Sequence, residues 1–196
     1  MNKYEITTQK KKKAIINSAL TLFDKKGFTN ASIKEIAALA HVSQVSIYNY
    51  FGSKEALVAE CVDYVMSDTL RQAKDILAKN ISFIEKINLA LLLCTESVNL
   101  SVSKHFAEAA LKDPALMALL SKNINERKNE IFREYIEFGK QEKVLDNTIS
   151  TETFLDFIEA INIVGSKLSL DSDISLKIKQ THHLLLYGII GKEPKH

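Results

Sequence analysis

The chain is poor in residues that interrupt helices, with six Gly and two Pro among 196 residues. Long stretches without breakers favour helices over strands joined by turns. Cysteine is scarce as well. Cys61 and Cys94 stand far apart in apolar surroundings, with no Cys-x-x-Cys spacing. That pattern excludes a disulfide framework and reads as two small buried thiols in a reducing compartment. The densest apolar run, Leu89–Cys94, falls far short of the roughly 20 residues needed to span a bilayer. Met1–Lys13 is polar and lysine-rich and lacks the apolar centre of a secretory signal. A cytoplasmic address, with no membrane partner, is the expectation. Catalytic signatures are missing too: no Gly-rich phosphate loop, no paired metal-ligand motif, no nucleophile–base constellation. His182 and His183 are neighbours on a predicted helix and point about 100° apart, so they cannot chelate one ion together. The sequence points away from an enzyme and calls for no cofactor.

What is present is ordinary for a globular chain: 46% apolar and 26% charged residues, enough to build a core and to exclude wholesale disorder. The net charge of +2 hides an asymmetry. Residues 1–55 carry nine Lys against four acids, a net +5, and the remainder carries 17 basic and 20 acidic side chains, a net −3. A basic head on a mildly acidic body suits a molecule that meets phosphate at one end only.

Helical periodicity begins at Lys10, with Ile15, Ala19, Leu22 and Phe23 on one stripe, and Gly27 is placed to end this first helix. After a short link, Ser32-Ile33-Lys34-Glu35 forms a capping box that opens a brief second helix with Ile36, Ala37 and Leu39 facing inward. The turn Ala40-His41-Val42-Ser43 comes next, and Ser43 caps a third helix over Gln44–Phe51. Gly52 closes it, and Ser53 caps a long fourth helix reaching about Lys79. Ser82 with Glu85 opens a segment to about Leu100, and a short helix around Ser103–Lys112 is stopped by Asp113-Pro114. A long helix to about Gln141, another over Thr153–Leu170 and a last one from Asp171-Ser172-Asp173 complete the chain. No strand-like alternation and no fixed repeat appears. The expected class is all-α, with about nine helices. The domains expected are a head over residues 8–55 and a helical body over residues 56–192.

Residues 32–51 supply the parts of a helix-turn-helix reader: a bracing helix, a tight turn, and a second helix whose exposed start enters the major groove. Ile36, Ala37, Val42 and Ile47 fix the two helices, leaving Ser43, Gln44, Val45, Ser46, Tyr48 and Asn49 outward. Short polar groups, an amide and a phenol suit base edges and phosphates. Lys10–Lys13 reads as a solvated stretch rather than a minor-groove arm.

The order and spacing of Ile15-Ile16, Ala19-Leu20, Leu22-Phe23, Gly27, Ser32, Ile36-Ala37, Val42-Ser43, Ile47-Tyr48, Tyr50-Phe51 and Ser53-Lys54-Glu55-x-Leu57 resemble the tetracycline-repressor (TetR) family. The resemblance covers about the first third of the chain. It implies that Ser32 and Lys34 touch phosphate or a flanking base, and that Gln44 and Val45 read base edges. It implies likewise that Ser43, Tyr48 and Tyr50 clamp phosphates, and that Lys54 with the N–H groups opening the fourth helix holds another. Two positions depart from the family pattern. His41 stands where Gly is usual, in a turn that needs the left-handed region, and Val45 stands where Gly or Pro is frequent.

In the body, Phe157, Ile161, Val164, Gly165 and Leu168 on one predicted helix, and Leu185 and Ile189 on the last, are apolar over more than one face. One face packs on the body and the other needs a partner chain. The resemblance implies the same dimer, in which two heads read a palindromic operator, with repression as the common mode and release by a small-molecule effector. It also implies an effector pocket among the middle helices. Phe83, Cys94, Phe106, Phe132 and Tyr135, with Leu120 and Ile124, are candidates for a mostly apolar lining, and Glu96, Asn99 and His105 for its polar anchors. The alternative for these residues is a filled core or a solvated surface. The rival for the whole chain is a DNA-binding protein without ligand control, architectural or constitutive.

Overall fold

A computed structural model describes residues 3–166 together with Gln180, Thr181, His183 and Leu184, and the side chains of residues 3–4, 95–99 and 161–166 lie outside that description. All regular structure among the described residues is helical: α1 (Lys3–Asn30), α2 (Ile33–Leu39), α3 (Gln44–Phe51), α4 (Lys54–Leu77), α5 (Phe83–His105), α6 (Pro114–Gln141) and α7 (Thr151–Ser166), with a 3₁₀ turn at Ala110–Lys112. The four described residues between 180 and 184 are helical; the rest of the predicted last helix lies outside the described residues. No described helix is long and apolar enough to cross a membrane.

Most helix starts reflect capping chemistry. Ser32 accepts the Glu35 N–H at 3.2 Å while Glu35 accepts the Ser32 N–H at 3.0 Å. The same reciprocal box joins Ser82 and Glu85 at the start of α5, at 3.3 and 3.0 Å. Ser43 caps α3, Ser53 caps α4, and Ser150 caps α7. Each such cap satisfies an otherwise orphaned N–H and contributes about 0.5–2 kcal/mol.

Three expectations are corrected. The first helix begins at Lys3 rather than Lys10, because its opening turns hold helix-favouring polar residues and no breaker. Leu39 points outward, 48% exposed, because the buried stripe of α2 is Ile33, Ile36 and Ala37, continued by Ala40, and Leu39 sits off that register. The fifth helix runs past Leu100 to His105, and only the 3₁₀ turn stands between it and α6.

The chain forms two compact units, Met1–Leu70 with Glu96–Arg127 and Arg71–Thr95 with Lys128–His196. The core of the first gathers Ile15, Ala19 and Phe23 of α1, Ile36 of α2, Ile47 and Phe51 of α3, and Leu57, Val58 and Cys61 of α4. Phe106, Ala110, Leu116 and Leu120 enter the same core. A fully buried side chain of this size contributes about 1.5–3 kcal/mol, so the later segment stabilises the head more than any single polar contact. Arg127 and Asp63 form a two-armed ion pair between α6 and α4 in this unit.

In the second unit Phe83, Ile87, Leu91 and Cys94 of α5, Phe132, Tyr135 and Ile136 of α6, and Phe154, Leu155 and Ile158 of α7 are buried. The Tyr135 hydroxyl donates to the Ala73 carbonyl at 2.7 Å. Buried Lys86 donates to the Leu77 carbonyl at 2.6 Å, closing α4, with its ammonium 4.2 Å from the Phe138 ring centroid. Gly139 lets α6 approach α5, since a Cβ there would stand 2.6 Å from the Phe83 ring.

Candidate nucleic-acid interface

The turn between α2 and α3 is drawn tight by backbone bonds. Ala40 N–H donates to the Ile36 carbonyl at 2.9 Å, and Val42 N–H donates to the Ala37 carbonyl at 3.0 Å. His41 takes φ 54°, the left-handed conformation anticipated for the position where glycine is more usual. Val42, half-buried against the head core, plugs the corner.

From this corner α3 presents two faces. Ile47 and Phe51 are buried, and the opposite ridge carries Gln44, Val45, Tyr48 and Asn49, all exposed, Val45 at 65% and Tyr48 at 50%. Positions 44 and 48, and 45 and 49, stack one turn apart, so the four side chains form one continuous surface. The start of α3 is fixed from within: the Ser43 hydroxyl accepts the Ser46 N–H at 3.1 Å and lies 2.9 Å from the Ser46 hydroxyl. Ser43 and Ser46 are therefore engaged with each other, Ser43 exposed and Ser46 half-buried.

At the start of α2, Ser32 and Lys34 are exposed. Glu35 is ion-paired with Lys26 and serves the capping box. The Lys26 hydrogen bond, with the backbone and hydroxyl of Ser32, lowers its carboxyl to about 2. Tyr50 is half-buried against the head core, with its ring edge-on to Phe51 at 6.3 Å. Lys54 is turned inward. Its ammonium donates to the Phe28 carbonyl and stands 4.1 Å from the Phe28 ring centroid, and burial lowers its proton affinity. Lys10–Lys13 belong to α1, so they form no extended arm.

Residues 15–61, which hold this whole arrangement, match the model of bacterial regulatory proteins of the tetR family. The head therefore carries the tetR-family sequence pattern. The chain's curated relatives include the uncharacterized HTH-type transcriptional regulator YuxN of Bacillus subtilis, 33% identical over 108 residues, 55% of this chain. The match spans only 36% of the length of YuxN. The HTH-type transcriptional regulator RutR of Escherichia coli is 29% identical over 199 residues, 91% of this chain and 90% of its own. Among solved structures, the fatty acid degradation regulator FadR of Bacillus halodurans shares the fold, with a TM-score of 0.58 at 20% identity over 90% of this chain and 94% of its own. The all-helical class is that of the family's structures.

The pocket candidates of the body divide between the two units. Phe83, Cys94, Phe132 and Tyr135 are buried in the second. Burial raises the Cys94 thiol to about 11, so it is an inert apolar group at neutral pH. Phe106, Leu120 and Ile124 belong to the head core. His105, half-buried, closes the end of α5 with Nδ1 2.8 Å from the Ser101 carbonyl and its ring edge-on to Tyr64. The side chains of Glu96 and Asn99 lie outside the described residues. Of the interface candidates, Phe157 is 41% exposed on α7. The side chains of Ile161 and Val164 lie outside the described residues, as do the surroundings of Gly165 and all of Leu168, Leu185 and Ile189. The sequence reading placed Asp24, Gly27 and Thr29 within the head but missed Asp113 as a part of it. Asp113 was legible only as a helix cap, and nothing in sequence spacing joins it to Thr29, 84 positions away.

Proposed function

We propose that this TetR-family protein is a dimeric repressor that reads a palindromic operator through residues 32–51 and leaves it when a mostly apolar small molecule binds. The observation that carries the DNA-binding half is the α3 ridge. Gln44, Val45, Tyr48 and Asn49 stay exposed while Ile47 and Phe51 lock the other side of the same helix into the core. A rigid helix with an amide and a phenol on its outer face is suited to the major groove. Gln44 pairs with a base edge, Val45 packs against one, and Tyr48 and Asn49 reach the backbone with Ser32 and Lys34. Two copies held by the faces around Phe157, Ile161 and Leu185 place two such ridges on the two halves of a palindrome.

Footprinting on the DNA flanking the chain's own gene tests this. One discrete palindromic site is the expected result, and equal, salt-sensitive binding of every sequence would replace the regulator with an architectural protein. Within the site, Gln44→Ala should relax preference at one base position by about 1–3 kcal/mol, and Tyr48→Ala should weaken all sequences alike. An unchanged preference profile for Gln44→Ala removes that side chain from base reading.

A second reading, a regulator without ligand control, is favoured by the packing of the second unit. Tyr135 spends its hydroxyl on Ala73, Phe83 fills the space above Gly139, and the described residues include no buried side-chain polar atom without a partner. Thermal-shift screening of apolar acids, steroids and aromatic compounds separates the two. A ligand that raises the melting temperature and lowers operator affinity supports the sensor, and a compound set that moves neither supports constitutive binding.

A further inference from the structure

The corner that delivers the chain from α1 to α2 is held by residues far away in sequence. At Gly27 the backbone leaves the helix with φ 72° and ψ 177°, and the next residues, Phe28, Thr29 and Asn30, lead to Ser32. Asp113, the residue before α6, reaches this corner with both carboxylate oxygens. Oδ2 accepts the Thr29 N–H at 2.8 Å. Oδ1 accepts the Thr29 hydroxyl at 3.3 Å and also caps α6, taking the N–H groups of Ala115 at 2.9 Å and Leu116 at 3.2 Å. A reciprocal bond runs the other way: Asp24 of α1 accepts the Ala107 N–H at 2.5 Å. On the adjacent residue, Lys54 donates to the Phe28 carbonyl. Gly27 is required twice, because its φ is left-handed and because a Cβ there would stand 2.5 Å from Asp113 Oδ2.

We propose that Asp113 is a positioning residue for operator binding, which fixes the start of α2 through Thr29 while its other oxygen caps α6. The proposal rests on the DNA-binding reading above. One carboxylate thus serves two elements, and the first turn of α6 cannot shift without releasing the corner that sets Ser32 and Lys34. Charge-assisted bonds to backbone N–H groups are about twice as strong as neutral ones, so this clamp is a substantial constraint on an otherwise exposed link. The apolar contacts of Phe106, Ala110 and Leu116 bring the segment to the head core, and the two carboxylates set its register.

Asp113→Asn separates the two duties. Asn caps helices as well as Asp does, so its amide oxygen keeps the first turn of α6. The amide nitrogen is a donor and cannot accept the Thr29 N–H. In the free full-length protein, hydrogen exchange should accelerate at Thr29 and the first turn of α2 but stay unchanged at Ala115 and Leu116. Operator affinity should fall by roughly tenfold, the size of one lost charged hydrogen bond recovered only on DNA. Gly27→Ala should give the same pattern from the opposite side of the contact. Unchanged exchange at Thr29 in Asp113→Asn overturns the clamp whether or not an operator is found. Accelerated exchange with wild-type affinity overturns the positioning role. A wild-type protein that selects no site overturns the DNA-binding reading and the positioning role with it, and the exchange pattern still decides the clamp.

Discussion

At the scale of single residues, Lys54 separates what a motif implies from what a side chain does. Its place at the start of the helix after the reader suggests a phosphate contact, yet its ammonium sits against the Phe28 ring and carbonyl. A lysine spent in this way acts first on the stability of the head. Lys54→Ala should lower the free-energy difference between folded and unfolded protein by about 1–2 kcal/mol, combining a charged hydrogen bond with a cation–π contact. Urea unfolding of the free protein checks this, and an unchanged midpoint would return Lys54 to the phosphate role alone. Tyr50 teaches the same lesson in a milder form, as its ring is partly in the core. The exposed members of the reader were legible because α3 obeys helical periodicity, whereas the inward turn of Lys54 depends on a ring 26 positions earlier.

At the scale of elements, caps made the helices legible, and the differences arose where no cap marks a boundary. Ser32–Glu35, Ser43, Ser53, Ser82–Glu85 and Asp113-Pro114 are all local signals, and each opens the helix expected of it. The start of α1 and the end of α5 have no such marker, and there plain propensity extended the helix by about two turns and one turn. The caps also predict a pH response. Lys26 and Ser32 lower the Glu35 carboxyl from its ordinary 4.5 to about 2, Ser32 and Ser82 hydrogen bonds being the common device in the two boxes; Glu85 and Asp113 are lowered as well, chiefly by the hydroxyl of Ser82 and the Thr29 N–H. A carboxyl lowered by folding stabilises the native state fully above its unfolded value, and that contribution fades as pH falls through the folded one. Melting temperature should therefore hold level from neutral pH to about 5 and decline from about 4.5 towards 2. Ser32→Ala and Ser82→Ala should each make the acid decline shallower in circular-dichroism melts. A slope unaffected by both would assign the acid response to other carboxylates.

At the scale of the whole molecule, the operator reading requires two heads, and one chain supplies one. A palindrome spaced by a helical turn of about 34–36 Å, or a multiple, needs a partner that repeats the same contacts about a two-fold axis. The described part of α7 fits such a partner. Phe154, Leu155 and Ile158 are buried while Phe157 is 41% exposed on the same helix. A large aromatic left partly in water on the exposed face of a helix is a natural anchor for an interface, where aromatic residues are enriched. Phe157→Glu should place a carboxylate at that contact at little cost to the fold, because the position is not buried within the chain. Leu185→Glu carries the same test to the last helix expected from the sequence. Sedimentation should find monomers, and operator affinity should drop by far more than the loss of one contact, since each half-site would then have to be bound by an independent head. Dimeric mass in both variants would move the interface to another face. Monomers that still gave a full palindromic footprint would show that the two heads assemble on the DNA itself.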